Sequence, residues 1–419
     1  MRISSVSARR RPVISSPGTS PRRHKPDYVL VLLATVLLTS GFIVVYAISP
    51  SIAAARGVSE QYLVSKQIIA IVLGLISFFV MSIVPLNWWR TWAVPLLITA
   101  GVLTIGALLT PLNAQYPAHR WVRFSGLSFQ TAEFVKLALI TWAASFFALR
   151  ASKAELTSNH KTFRPTVGLL LGIGVIIAGL QSDLGSAAVM VAMIVVMAYL
   201  AGMPIKRFLP IGAAALGIVA LIVATSFVVP SLRYRVSRLS TFLHPTSDCQ
   251  NAGYQSCQAL IAVGSGGILG KGLGKSVQAS GYLPEAANDS IFAIMAEKFG
   301  FIGVTIIVAI YVALFSRLRR LIDRAPSMYT RLLIAGILAW FSTQTIINIG
   351  AMIGLLPLKG ITLPFISYGG TSLLFVTAAL GLAFQVSRYT TYSNHVDDPE
   401  TGYDEPAMQR ARSLIVRRP

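Results

Sequence analysis

Ten stretches of this chain are apolar over lengths that match a lipid bilayer, and they decide what it can fold into. The first runs unbroken from Tyr28 to Ile48. A helix rises about 1.5 Å per residue, so ~20 apolar residues cross the hydrocarbon core. Further runs lie near 64–83, 91–109, 131–149, 166–180, 184–200, 208–229, 291–315, 329–353 and 369–388. The pair 166–180 and 184–200 is tight, joined only by Gln181-Ser182-Asp183. The expected fold is an all-α polytopic membrane protein of about ten transmembrane helices, with a long outer loop near 230–290 between helices 7 and 8.

Charge agrees with this. Only 12% of the 419 residues are charged and 54% are hydrophobic, about half the charge share of a soluble domain. The net charge of +21 would suggest nucleic acid in a soluble protein. Here no basic domain interleaved with aromatics exists, so no nucleic acid is expected. The basic residues fall in loops that meet anionic membrane lipids. An inside N-terminus also puts Arg90, Arg150, Lys153, Lys161, Arg164, Lys206, Arg207, Arg317, Arg319, Arg320 and Arg324 inside. Residues 1–27 read as a disordered basic cytoplasmic tail, 28–388 as the membrane domain, and 389–419 as a second cytoplasmic tail. Ala53-Ala54-Ala55 mimics a signal-peptidase site, but the apolar run before it is longer than a signal core. It reads as a retained first helix.

Charges inside spans or at their mouths are candidates for function, because a lone charge in hydrocarbon costs several kcal/mol, on the order of 3 by insertion scales. Glu133 and Lys136 are spaced i,i+3 and share a helix face; they form a structural ion pair or line a site. Asp183 either caps the next helix or lines a cavity. Glu297 and Lys298 read as paired or snorkelling. Asp289 follows a glycine-rich passage and precedes Ile291-Phe292. It is either a helix cap or a half-desolvated general base whose pKa can rise toward neutrality.

Two irregular passages flank these charges. Gly264–Gly274 carries six glycines, with Lys271 and Lys275 beside them. Such a backbone can cradle phosphates, though it is not a Walker A motif. Gly360–Ser372 carries Pro364 and Gly369-Gly370, which break a helix pattern. Irregular backbone at membrane depth is tolerated where it is buried in protein or lines a cavity. Together these features suit an anionic, lipid-borne substrate such as a lipid diphosphate. Cys249 and Cys257 share one loop, and zinc or iron–sulfur sites lack ligands around them.

At these residues the chain resembles the SEDS family of FtsW- and RodA-type proteins. The matching stretches are His119-Arg120-Trp121, Gln130-Thr-Ala-Glu133-Phe-Val-Lys136, Gln181-Ser-Asp183-Leu-Gly185 and Gly253-Tyr254-Gln255. Tyr282-Leu-Pro284-Glu285 with Asp289, and Asn348-Ile-Gly350 through Pro364-Phe-Ile-Ser-Tyr-Gly-Gly370, follow in family order. The resemblance implies a ten-helix peptidoglycan glycosyltransferase that polymerises lipid II on the outer face of the bacterial cytoplasmic membrane. It implies a class B penicillin-binding protein, a transpeptidase, as partner, along with other membrane proteins of the division or elongation machinery. The family's catalytic Asp falls on Asp289, and its cavity charges on Glu133, Lys136 and Asp183. Lys136, Arg120, Lys271 and Lys275 are candidates to meet the diphosphate. A divalent cation is compatible with that chemistry, with no dedicated metal ligands in the sequence.

Gly272-Leu-Gly-Lys-Ser276 and Tyr282-Leu-Pro-Glu-Ala286 are nearer the FtsW type, which implies a division role. There are departures. Thr131 and Ser182 replace usual prolines, His244 replaces a usual Asp, Asn288 and Ser290 alter the flanks of Asp289, and Lys298 replaces an acid. The two cysteines are unusual for the loop; they form a disulfide outside the membrane or stay unpaired. A lipid II flippase and a non-catalytic scaffold that recruits a transpeptidase remain the alternative readings.

Overall fold

The first helix, α1 (Tyr28–Arg56), is bounded by local chemistry at both ends. The Asp27 carboxylate accepts from the N–H groups of Val29 and Leu30, and Gly57 closes the helix in the left-handed conformation. Both devices answer backbone groups that a helix end leaves unpaired. The computed structural model describes residues 25–109, 120–124, 127–213, 217, 249–251 and 253–389. All fall in the unit Arg23–Thr390. The tails expected at 1–27 and 389–419 lie outside the described residues except at their membrane-proximal ends.

After α1 come α2 (Gln61–Ile83), the short α3 (Leu86–Thr91) and α4 (Ala93–Leu108). A hairpin of β1 (Trp121–Phe124) and β2 (Leu127–Gln130) leads into α5 (Thr131–Ser152). Next are α6 (Arg164–Ile173), extended at both ends by wide π-type turns, and α7 (Leu184–Ala201). The described chain resumes with α8 (Tyr254–Ser265), α9 (Ile291–Asp323), α10 (Met328–Met352) and α11 (Gly370–Val386). Among the described residues, seven helices are long and apolar enough to cross a membrane, with α4 and α11 as shorter apolar helices. Together they account for every expected span except the one near 208–229, most of which lies outside the described residues. The antiparallel hairpin, pairing Trp121 with Gln130, was not expected from the sequence. It is too short to carry a period-2 signal.

Helices α5, α7 and α10 form the centre. Phe147, Met190, Met193, Trp340 and Phe341 are shut off from the surroundings. The outer helices instead show apolar side chains outward, such as Leu32, Ile69, Ile98 and Ile306. In lipid both faces of a helix can be apolar, so the inward face carries little hydrophobic signal.

The glycine-rich passage turns back into the bundle. Helix α8 packs parallel to the start of α9, with Gln255 beside Ser290 at one end. At the other end a Cβ on Gly266 would lie 2.0 Å from the Ala296 carbonyl oxygen. The turn beyond it reaches Val36 and Ser40 of α1, which with Leu269, Gly272 and Lys298 line a cavity of about 560 Å³. Ser40 is roughly 20 Å along α1 from Asp27 at the helical rise, well inside the span. Gly300 breaks α9 there, at φ 66° and ψ −171°. The interrupted amides of Phe301 and Ile302 donate to the Gly267 and Ile268 carbonyls at 2.9 and 3.2 Å. The turn thus restores the bonds the kink removes, as irregular backbone at this depth requires.

The second irregular passage, residues 357–369, enters from the same end. It passes α1 so closely that a Cβ on Gly41 would lie 2.2 Å from the Ile366 carbonyl oxygen. The Tyr311 hydroxyl on α9 donates to the Pro364 carbonyl.

Candidate active site

Asp289 closes the turn that delivers the chain into α9. It does not cap that helix: the N-cap is Ser290, which makes no side-chain capping bond. Three partners hold the turn's backbone. Asn348 of α10 donates from Nδ2 to the Asp289 carbonyl at 2.7 Å and to the Ile361 carbonyl at 2.8 Å. The Ser367 hydroxyl donates to the Asn288 carbonyl at 2.6 Å. The Tyr368 N–H donates to the Ala287 carbonyl at 2.9 Å. Residues 357–369 therefore form a clamp over the Asp289 turn.

The carboxyl is half-buried, and its Oδ1 is enclosed with no hydrogen-bond partner. Burial pushes its pKa up from the usual 3.8 to about 7, and the charge of Glu285 adds to the rise. The N–H groups of Asp289 and Ser290 and the Gln255 amide pull the other way. A carboxyl so placed is poised to gain and lose a proton near neutral pH.

Arg120 reaches the same place from the end of the chain segment before β1. Its Nε donates to the Gln181 carbonyl at 3.1 Å and its Nη2 to the Ser182 carbonyl at 2.5 Å. These bonds fix the guanidinium fork and leave Nη1 toward Gly360. A Cβ at Gly360 would lie 3.8 Å from Arg120 Nη1 and 3.6 Å from Asp289 Oδ2. Asp183 sits just beyond. It caps α7, accepting from Ser186 N at 3.0 Å and Ser186 Oγ at 2.9 Å. It is also buried next to the loop, since a Cβ on neighbouring Gly185 would lie 2.7 Å from Ile361 Cγ2 and 3.2 Å from Lys359 Cβ. The capping and cavity-lining readings of Asp183 thus coexist.

Glu133 and Lys136 form a buried ion pair at 2.7 Å. They are not isolated. Lys136 Nζ also donates to Gln344 Oε1 at 2.8 Å, and Trp340 Nε1 donates to the same oxygen at 2.8 Å. Gln344 Nε2 donates to the Thr362 carbonyl at 2.8 Å, and the Thr362 hydroxyl meets Ser372 Oγ at 2.7 Å. A polar chain therefore runs from α5 through α10 into the clamp loop.

The glycine-rich turn has a different place. Glu297 pairs with Lys271 at 3.2 Å and accepts from the Ser276 hydroxyl and the N–H groups of Val277 and Gln278. Lys271 N and Gly272 N donate to the Glu297 and Lys298 carbonyls, both at 2.9 Å. Lys298 Nζ donates to the Leu273 carbonyl. The donors expected to cradle a phosphate are bound to α9 instead, near the kink rather than at the Asp289 turn. Lys275 is exposed on the same turn. Among the described residues, no group of three or more His, Cys, Asp or Glu side chains is arranged to hold a metal ion.

Reading charges alone misses Gln344 and Asn348. They are spaced i,i+4 in an apolar helix, so they share one face, and both are buried. A search for polar as well as charged residues in the spans would have found them. Cys249 and Cys257 are joined as a disulfide.

A family model described as cell cycle protein, of the FtsW/RodA/SpoVE group, matches residues 28–392. The chain is 36% identical over 373 residues to the stage V sporulation protein E of Bacillus subtilis (strain 168), covering 88% of this chain and 99% of that one. It is 34% identical over 392 residues to a probable peptidoglycan glycosyltransferase FtsW of Saccharophagus degradans, covering 92% and 99%. Among solved structures it is similar to a chain described under "structural coordination of polymerization and crosslinking by a peptidoglycan synthase complex". There the TM-score is 0.69 at 26% identity, over 87% of this chain and 98% of that one. It is also similar to the rod shape determining protein RodA of Thermus thermophilus, with a TM-score of 0.61 at 25% identity over 87% and 97%. With a family model spanning nearly all of the helical region, this multi-pass membrane protein belongs to the FtsW/RodA/SpoVE family, the SEDS proteins.

Proposed function

We propose that this chain builds glycan strands from lipid II, and that Asp289 is its general base. It is a peptidoglycan glycosyltransferase. The observation that carries the reading is the meeting of a carboxyl titrating near 7 with a pinned guanidinium, across one glycine. Glycosyl transfer needs both. A base takes the proton from the attacking sugar hydroxyl as its oxygen bonds to the anomeric carbon. The bond from that carbon to the diphosphate oxygen breaks, and the electron pair leaves with the diphosphate. A fixed cation stabilises the charge that develops there. Asp289 receives the proton and Arg120 faces the leaving diphosphate. No covalent enzyme intermediate is required. Asn288 Oδ1 and Asn348 Oδ1 are buried acceptors without partners beside the carboxyl, and acceptors of that kind suit sugar hydroxyls.

The Glu133–Lys136–Gln344 chain shapes the clamp loop from behind, which gives those residues a supporting part in substrate binding. Lys271, paired with Glu297, stabilises the re-entrant turn, and Lys275 is exposed on it. The orientation that satisfies the basic loops places Asp289 on the outer face of the cytoplasmic membrane, with both termini inside. A class B penicillin-binding protein is the partner that fits, since a structural relative is part of a synthase that couples polymerization to crosslinking. The FtsW-named relatives support a division role.

The test is polymerisation of purified lipid II, with and without the cognate transpeptidase, by the wild type and Asp289→Asn. Polymer from the wild type alone of the two supports the reading. Absence of polymer from the wild type with its partner present, or equal polymer from both, overturns it.

A further inference from the structure

Helix α8 starts without a side-chain cap. Gly253 occupies the N-cap and offers no side chain to the first amides. The entry is held covalently instead, by the disulfide between Cys249 on the incoming chain and Cys257 in the opening turns, with Cα atoms 5.5 Å apart. Cys257 is buried and Cys249 half-buried, so the bond is reachable from one side only.

Gln255 sits on the turn that this bond fixes. Its Nε2 donates to Ser290 Oγ at 3.1 Å, and Ser290 Oγ donates to the Pro284 carbonyl at 2.9 Å. Ser290 is fully buried and directly follows Asp289. The amide therefore braces the Asp289 turn from the α8 side, opposite the brace that Asn348 supplies from α10. A disulfide closing so short a loop constrains the unfolded chain less than one closing a long loop. Its larger effect is local: it sets where the α8 turn can stand.

We propose that the first turn of α8 is a positioning device for Asp289, with Gln255 as the contacting residue and the Cys249–Cys257 disulfide as its reducible fastener. The inference rests on Asp289 being the reacting carboxyl. The Gln255 amide also favours the ionised carboxyl, so loosening the turn shifts Asp289 toward its protonated form. Among the described residues, the charged groups placed near the carboxyl are Glu285 on its own turn and Arg120 across Gly360, with Lys359 and Asp183 further off at the α7 end of the clamp loop. None of them is on α8, so the α8 contribution is separable. Reduction by a dithiol transfers two electrons and two protons, gives two cysteine thiols, and closes the reductant into a cyclic disulfide.

The experiment uses the full-length protein in detergent micelles. A hydrophobic carbodiimide, which adds to protonated carboxyls, labels Asp289 across a pH series, and mass spectrometry of its peptide gives the midpoint. The samples are wild type, Gln255→Ala, the Cys249→Ser/Cys257→Ser double variant, and folded wild type treated with dithiothreitol. The expected result is a higher midpoint for Gln255→Ala and a shift in the same direction on loss of the disulfide. Polymerisation follows it: the pH limb moves upward by the same amount, and kcat falls at pH 7 while KM holds within about twofold. Reduction after folding reads the fastener even where the double variant does not fold. An unchanged midpoint in Gln255→Ala, or in the reduced protein, overturns the proposal. So does a uniform loss of rate at every pH without a midpoint shift. An active wild type with unmoved labelling counts against this inference alone. A shifted midpoint in a chain that makes no polymer counts against the glycosyltransferase reading alone.

Discussion

Asp289 and Arg120 face the same point above Gly360, where a Cβ would lie 3.6 Å from the carboxyl oxygen Oδ2 and 3.8 Å from Nη1. They arrive there from segments 169 positions apart in the chain. Neither is held by the other. Arg120 is pinned by the Gln181 and Ser182 carbonyls, and the Asp289 backbone by Asn348. A base and a cation kept close but not fused into an ion pair leave room for a reacting group between them.

Gly360 guards that room. A methyl group there makes ordinary contacts with both neighbours, whereas a longer side chain projects between them. Gly360→Ala is expected to retain activity within a few-fold, and Gly360→Leu to lose it by about tenfold or more, one decade being ~1.4 kcal/mol of barrier. Initial rates of polymerisation decide it. A fully active Gly360→Leu protein contradicts the placement of the reacting groups.

The rate is expected to follow the ionisation of Asp289. A general base acts deprotonated, so polymerisation climbs with pH and levels off above about 7, the value to which burial raises the group. Asp289→Asn removes the limb along with the activity, by about 10²- to 10⁴-fold. A pH–rate profile under saturating substrate checks both statements. A flat profile from pH 5 to 8 contradicts them.

The same shift has a stability consequence of definite sign. Below 3.8 the carboxyl is neutral both folded and unfolded and contributes no difference. Between 3.8 and about 7 the unfolded chain releases the proton first, which favours unfolding. Above about 7 the penalty is complete. Asp289→Asn is therefore expected to match the wild type in Tm at the acid end and to exceed it increasingly toward pH 8. Thermal unfolding in detergent at several pH values is the measurement. A variant that is less stable at pH 8 sinks the claim that the carboxyl is strained by burial.

Arg120→Lys keeps the charge but not the planar fork that meets two carbonyls at once. Weaker inhibition by inorganic diphosphate is expected, by about tenfold, with a larger loss for Arg120→Ala. Unchanged inhibition by diphosphate in both variants assigns Arg120 to holding the Gln181–Ser182 turn and nothing more.

Lys136→Met leaves Glu133 buried without its cation. Removing one partner of a buried pair costs about 3–5 kcal/mol, so a marked fall in Tm is expected. Adding Glu133→Gln is expected to restore part of it, while Gln344 Oε1 stays one donor short. A double variant no more stable than Lys136→Met removes the argument from an unpaired charge.

Much of this was legible in the residues because hydrocarbon is an unforgiving solvent. Runs such as Tyr28–Ile48 announce their helices by length alone. Asp289 announces itself as a charge at the mouth of a span. What the residues did not announce depends on contacts between distant segments. Glycines and lysines on an outer loop suit a phosphate cradle, and nothing local shows that Leu269 and Gly272 line one cavity with Val36 and Ser40. Gln344 and Asn348 carry no charge and stood out less than their positions warrant. The β1–β2 hairpin, four residues to a strand, lacks the length for a pattern. The state of Cys249 and Cys257 stayed open because spacing cannot distinguish a bonded pair from two thiols.

The close pass of Gly41 by Ile366 has a consequence for genetics. Ile366 adjoins Ser367, which holds Asn288, which adjoins Asp289. A single methyl added to Gly41 pushes on that line from the middle of an apolar helix. A screen for inactive alleles should therefore return glycine changes in α1 that look conservative on paper and lie far from any reacting atom. Their carriers would hold a folded protein at normal abundance with a misplaced carboxyl.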